Sequence, residues 1–262
     1  GAGTDAVGSE FEFPDDARTV SQSAAAPTLK RSAPVGDCMP RLDDPVDVGG
    51  LRLRNRLYRA PLLECAGTGP DTADVLRAEL EPAAASGAGL VCQGATVVRG
   101  EGGCAAPGMT RVHDDDFVAG LAPVAEAIEA HGGRVFAQLE HGGLRSMEVW
   151  HAGYRDAHPD LDQLAVSEPP LPLRAADRLG LLDVSPRVLS TDEVYELAAD
   201  FGRAAGRLAD AGYHGIHVAG ANMGIVQQFL SPFYNRRSDE FADGFRFLER
   251  LHDEVRQRTD VP

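Results

Sequence analysis

The sequence predicts an α/β protein built on a parallel sheet covered by helices. Short apolar, β-rich runs alternate along the chain with stretches whose apolar residues recur at helical spacing. Those β-rich runs are apolar throughout rather than at every second residue, as expected of strands buried on both faces. The length agrees: 262 residues, 43% of them hydrophobic, suffice for one large domain, and a single β/α barrel commonly takes about 250.

The elements follow in order. Residues 1–41 are rich in Ala, Ser, Pro, Gly and Asp without apolar periodicity, and predict a mobile acidic extension. Residues 42–262 form the ordered body. Val46–Val48 and Leu51–Leu53 flank Gly49-Gly50 and predict a hairpin. Leu57–Leu63 reads as the first strand of the main sheet and Thr72–Ala85 as a helix capped by Asp71 or Thr72. Gly89–Val98 is a second, buried strand. Asp114, Asp115 and Asp116 precede a helix over Phe117–His131 that places Leu121, Val124 and Ile128 on one face and ends at Gly132-Gly133. The acidic run reads as negative charge on a helix N-terminus rather than as a metal site. Arg134–Leu139 is the third strand. A Pro-rich stretch from Gly142 to Leu189 predicts a long loop, and such loops are usually functional. Ser190 then caps a helix, with Glu193 completing a capping box and Val194, Leu197, Phe201, Ala205 and Leu208 on its buried face. His214–Ala219 is the fourth strand and Phe245–Arg258 the last helix. Four β/α units result; the pattern leaves open a small open sheet or part of an eight-unit barrel.

Composition excludes several function classes. Forty acidic residues face 25 basic ones, a net charge of −15, and no basic patch offsets it, so nucleic acid would be repelled. Lys30 is the only lysine, a bias shared by salt-adapted proteins and by the products of GC-rich genomes. No run of about 18 apolar residues predicts a membrane span. Cys38, Cys65, Cys92 and Cys104 form no CxxC pair, so no zinc or iron–sulfur spacing is present and no metal is predicted. They read as reduced thiols of a cytoplasmic protein whose partner is a small-molecule substrate; homo-oligomerisation is left open.

Parallel α/β folds bind ligands beyond the C-terminal ends of their strands. There stand Ala60-Pro61-Leu62-Leu63, Gly94-Ala95-Thr96, Gln138 through Gly143, and Ala219 through Asn222. Small residues at two of these ends would let a flat ring approach the backbone, and the Gln138 amide offers such a ring both a donor and an acceptor. Gln138 as a satisfied structural amide is the equal alternative.

Several runs, in order from about residue 42 to the end, carry a resemblance. Leu53-Arg54-Asn55-Arg56 leads into the first strand and Gly87-Ala88-Gly89-Leu90 into the second. Gln138-Leu139, His141 and Gly143 close the third. Pro186 through Ser190 lead into a helix, and Gln228 through Phe241 follow the fourth strand. Together they resemble the old yellow enzyme / NADH:flavin oxidoreductase family, with a lean towards its 2,4-dienoyl-CoA reductase-like branch. The resemblance implies a (β/α)8 TIM barrel, of which these are the first four β/α units, holding FMN at its C-terminal mouth. NAD(P)H would reduce the flavin, and hydride would pass to the β-carbon of an activated alkene of enoyl or dienoyl type. Ala60, Pro61, Leu62 and Leu63 would line the flavin, Ala95 would lie under it and Gln138 would bond its pyrimidine edge. Ala219, Asn222 and His141 would face the substrate, with Asn222 the catalytic donor that stabilises developing negative charge.

The departures from the family pattern are specific. Ala219 stands where His is usual, with His217 two residues earlier on the same strand face. Gly224 stands where a Tyr often supplies the proton, Met223 where Gly is usual, and Leu63 where a Thr or Cys tunes the flavin. Leu144 replaces an Arg, with Arg145 next to it. Tyr234 and His141 are substitute proton donors on paper. The family's flavin-phosphate strands have no counterpart in this stretch, so further chain is expected to close the barrel, and residues 1–262 alone are expected to bind FMN weakly. A degenerate, non-catalytic paralogue that keeps the scaffold is the alternative reading.

Overall fold

A computed structural model describes residues 39–146, 152–157, 163–181 and 186–262. The extension expected over residues 1–41 therefore lies almost wholly outside the described residues. Residues 40–262 form one unit. It opens with the hairpin of β1 (Val46–Val48) and β2 (Leu51–Leu53), paired antiparallel. Gly49 and Gly50 both turn at positive φ, 54° and 87°, as the two-residue turn requires.

The main sheet contains β3 (Tyr58–Arg59), β4 (Leu90–Val97) and β5 (Arg134–Glu140). A side pair, β6 (Leu164–Ala165) and β7 (Arg187–Val188), stands apart, and β8 (Gly215–Val218) completes the main sheet. Its strands are parallel and lie in chain order, β3-β4-β5-β8. Each crossover carries helix: α1 (Thr72–Ala85), then α2 (Asp115–Ala119) with α3 (Ala122–Ala130). The third crossover includes α4 (Ala152–Ala157), α5 (Leu171–Arg178) and α6 (Thr191–Asp210), and α7 (Ile225–Leu230) and α8 (Gly244–Arg256) follow β8.

Side-chain alternation gives the sheet two different faces. Val91, Val135, Ala137 and Leu139 point to the helices and join Leu76, Leu80, Ile128, Leu197, Phe201 and Phe247 in one core. The other face carries Tyr58, Cys92, Phe136, Gln138, Glu140 and His217, none of which belongs to that core among the described residues.

Local rules placed two side-chain caps correctly, while Asp71 stands at the N-cap of α1 without a side-chain capping bond. Asp114 accepts from the Phe117 N–H at 2.8 Å, and Ser190 with Glu193 forms the reciprocal capping box. Three expectations need correction. The first strand, expected over Leu57–Leu63, is only two residues long: Pro61 has no N–H to give a ladder, and the chain leaves the sheet at Ala60. The helix expected over Phe117–His131 breaks into two, because Gly120 ends α2 and Pro123 sits in the first turn of α3. The stretch from Gly142 to Leu189 is not structureless; it contains a 3-10 turn, two short helices and the β6–β7 pair.

Two of the runs singled out in the sequence act as staples. Arg54 donates to the carbonyls of His131, Ala84 and Ala88, gathering the C-terminal ends of α1 and α3. Asn235 ties the Phe229 and Phe241 carbonyls, at 2.9 and 2.8 Å. Arg237, paired with Asp239, donates to Val166 and Leu189 and pins the side pair to the body.

Candidate functional site at the C-terminal rim

The first rim segment is held by a residue that the sequence reading passed over. Glu64, with 4% of its side chain exposed, accepts from Arg59 at 2.7 Å and from the backbone N–H of Gly94 at 2.7 Å. Arg59 also donates to the Cys92 carbonyl. This clamp draws Ala60-Pro61-Leu62-Leu63 against β4 at Gly94. The fit is tight: a Cβ at Gly94 would lie 1.0 Å from the Leu62 carbonyl oxygen. Only glycine permits that approach. The alternation of an acid with an upstream Arg around the Pro was the available signal, but nothing local says that Glu64 reaches a neighbouring strand.

The register of the sheet brings the remaining rim residues alongside. Gln93 pairs with Ala137 and Thr96 with Leu139, so Gly94 and Ala95 flank Gln138, and Gln138 in turn pairs with His217. The chain turns after β8 with Asn222 and Met223 at positive φ, 55° and 58°, a conformation that Asn tolerates better than most residues. Met223 is fastened there by its N–H to the Gln227 side chain. Leu62 and Leu63 are 65% and 44% exposed and Ala219 is buried; Asn222 is exposed and Ala60 open to solvent, while Pro61, Ala95 and Gln138 are half-buried.

Gln138 makes no side-chain hydrogen bond among the described residues. A half-buried amide without a partner, on the face turned away from the core and beside two small residues, fits the polar edge of a flat heterocycle. The donor set is therefore compatible with a flat ring such as a flavin at this rim.

His141 corrects an expectation. It is fully buried. Its Nδ1 accepts from the Gly143 N–H at 3.1 Å, and its ring packs against Gly103, where a Cβ would come within 2.6 Å. Burial, reinforced by Arg99 and Arg111, lowers its pKa to about 3. It is a neutral residue of the interior, and its ring does not open on the mouth. Tyr234 likewise packs edge-on against Phe233, with its hydroxyl 3.9 Å from the Met223 sulfur.

Below the rim, the face turned away from the core holds a thiol and an imidazole. Cys92 Sγ lies 3.7 Å from His217 Nδ1. Burial pushes the thiol up to about 12 and lowers the imidazole, so both are neutral. His217 thus lies deeper than the rim, on the face that its strand parity indicated. No group of three or more potential metal ligands occurs among the described residues. No described helix is long and apolar enough to cross a membrane.

Comparison with known proteins gives a consistent answer. Residues 41–260 match the model of the NADH:flavin oxidoreductase / NADH oxidase family. An NADH:fumarate oxidoreductase of Klebsiella pneumoniae is 35% identical over 74% of this chain, which spans 19% of that protein. A metal reductase of Desulforamulus reducens is 32% identical over 78% of this chain and 28% of its own length. Among solved structures, morphinone reductase superposes with a TM-score of 0.66 at 28% identity, covering 83% of this chain and 59% of that one. The chain thus spans less than a third of those two curated relatives and about three fifths of that solved neighbour. The old yellow enzyme homologues among the neighbours are barrels of the predicted class, and the four parallel β/α units seen here are part of one.

Proposed function

This chain belongs to the NADH:flavin oxidoreductase / NADH oxidase family, and from that premise we propose that the protein is an FMN-dependent oxidoreductase that draws reducing equivalents from NAD(P)H and reduces an activated alkene. The flavin would supply two-electron hydride chemistry. This chain's own residues would bind and orient it. The observation that carries the reading is the Gln138 amide, without a hydrogen-bond partner among the described residues, beside the Leu62–Gly94 contact and on the sheet face turned away from the helix-side core.

The roles divide along the rim. The Glu64–Arg59 clamp fixes the backbone of Ala60 through Leu63, so ring contacts there cost little reorganisation. Ala95 leaves room beneath. Ala219, buried and small, leaves space beside the ring, and Asn222 presents an amide at the exposed turn, where it can meet developing negative charge on a substrate carbonyl. The enoyl or dienoyl class is the finer part of the proposal. It draws on the small residue at position 219 and on relatives named for fumarate and acrylate. The departures at Leu63 and Gly224 favour a second reading, a scaffold that has lost flavin chemistry.

Visible absorbance of the complete purified protein separates the two. The proposed enzyme is yellow, releases FMN on denaturation, is bleached by NADH or NADPH without oxygen, and regains colour on adding an activated alkene. Protein that stays colourless after incubation with FMN sinks the proposal and leaves the scaffold reading standing.

A further inference from the structure

Adding hydride to an alkene carbon requires a proton at the neighbouring carbon, and the rim described above contains no obvious donor. We propose that Glu140 is that donor: the acid that protonates the α-carbon as hydride reaches the β-carbon. The assignment rests on the proposed reading of the protein as an alkene reductase.

Glu140 is the last residue of β5, two beyond Gln138. Ala137 and Leu139 between and beside them enter the helix-side core, so Gln138 and Glu140 share the opposite face. The Glu140 side chain is 5% exposed, and its Oε1 accepts from the Arg145 guanidinium at 3.2 Å. Oε2 has no hydrogen-bond partner among the described residues, and it is not one of their fully enclosed polar atoms without a partner. One oxygen is thus held and the other is left for a proton.

Gly224 supplies the independent observation. Its φ is −63° and ψ 169°, which any residue adopts, so backbone freedom does not explain a glycine there. Space does. A Cβ at position 224 would lie 3.3 Å from Glu140 Oε1, 3.4 Å from the Ala221 carbonyl and 3.6 Å from the His141 carbonyl. The Ile225 N–H bonds the His141 carbonyl at 2.8 Å and holds this glycine over the end of β5. The start of α7 therefore closes on the carboxyl group without a side chain of its own, beside the turn that carries Asn222.

The charged surroundings suit an acid. Burial raises the Glu140 pKa, and Arg145 opposes it. Arg145 is the one charged group in hydrogen-bond contact with the carboxyl among the described residues. His141, next in the chain, is neutral and turned towards Gly103. The direction of the shift keeps the proton on Glu140 to higher pH than an ordinary carboxyl, and Arg145 stabilises the carboxylate left after transfer.

The step balances. A bound, reduced flavin would supply hydride to the β-carbon, and the π pair would move to the α-carbon. That carbon takes the Glu140 proton as the O–H bond breaks. Solvent reprotonates the carboxylate. Two electrons come from NAD(P)H and one proton from Glu140.

The test uses the complete flavin-loaded protein and two acceptors. 2-Cyclohexenone needs a proton at carbon; menadione takes its protons at oxygen and does not need Glu140. In Glu140→Gln, enone reduction should fall about 100-fold and lose its alkaline limb, while menadione reduction stays within about twofold. A readout independent of activity accompanies it. A carboxyl with a raised folded pKa stabilises the fold below about 4.5, its ordinary value, and that contribution is lost as pH rises through the folded pKa. The difference in thermal stability between wild type and Glu140→Gln should follow this course. Enone reduction at the wild-type rate, or an equal loss with both acceptors at full FMN content, overturns the assignment. Should Glu140→Gln fail to hold FMN, Arg145→Gln decides: losing the cation must move the alkaline limb to higher pH, and a stationary limb overturns the proposal. Wild-type protein that is bleached by NAD(P)H and reduces menadione but not the enone removes the alkene reading itself.

Discussion

The two faces of the parallel sheet are built from the same strands and do opposite work. Towards the helices, Val91, Val135, Ala137 and Leu139 are wholly buried among side chains from α1, α3, α6 and α8. Phe201 and Phe247 meet edge to face at 6.4 Å, and Phe229 stacks on Phe247 at 4.1 Å. On the other face, alternate residues of those strands are mostly polar or titratable: Tyr58, Cys92, Gln138, Glu140 and His217, with Phe136 the apolar exception. Close packing makes the first face intolerant of lost volume. The second leaves the Gln138 amide and one Glu140 oxygen without a hydrogen-bond partner among the described residues, open to a ligand rather than sealed inside. The difference teaches that stability and chemistry are separated by one residue of strand register.

That separation can be broken or sharpened by experiment. The largest effect is expected on the packed face. Phe201→Ala should cost about 3–5 kcal/mol, read as a shift in the urea midpoint, because the ring is fully enclosed and its neighbours cannot close the gap. A loss below about 1 kcal/mol would show that the helix side is loosely packed.

Next comes His141, at the junction of the two faces. Its folded pKa of about 3 lies below the ordinary 6.5. A lowered folded pKa contributes stability that is present above 6.5 and lost as pH falls towards 3. At 1.36 kcal/mol per unit, acidification from 6.5 to 5 should cost about 2 kcal/mol through this residue. His141→Gln, though less stable at neutral pH, should lack that part of the acid dependence. Parallel pH profiles for the two proteins would show that His141 is not the buried neutral group described here.

On the other face the expected signature is reversed. Gln138→Leu should leave the melting temperature nearly unchanged and weaken flavin retention five- to tenfold, the value of one net hydrogen bond of about 1 kcal/mol. Flavin titration of the complete protein, followed by fluorescence quenching, measures it. A variant that melts earlier yet holds flavin normally would make Gln138 a structural amide.

The smallest effect belongs to neither face. Arg246 and Glu249 form a pair on α8 with both side chains more than 60% exposed. Arg246→Ala should change stability by less than about 0.5 kcal/mol. A larger change in the same urea experiment would mean that α8 packs against something further.

What the residues dictate locally was legible without coordinates. Gly49-Gly50 specifies its turn through positive φ, Ser190 and Glu193 specify a helix start three residues apart, and the alternation of apolar strands with amphipathic helices specifies a parallel sheet. Gln138 could be placed at a strand end for the same reason. Each of these depends on neighbours within a few positions, where propensity and periodicity act. The first strand was overestimated because apolar composition does not register that a strand without a ladder partner stops, and the split at Gly120 was overlooked within one apolar period. The Glu64 clamp on Gly94, the contact of Cys92 with His217 and the meeting of Glu140 with Gly224 join residues 30, 125 and 84 positions apart. Those contacts depend on which residue of one strand stands beside which residue of the next, and that register is set by the sum of packing across the sheet. The chain by itself determined which elements form and which residues lie at their ends; the tertiary structure decided which of those ends touch, because only the packed register brings distant side chains within hydrogen-bonding reach.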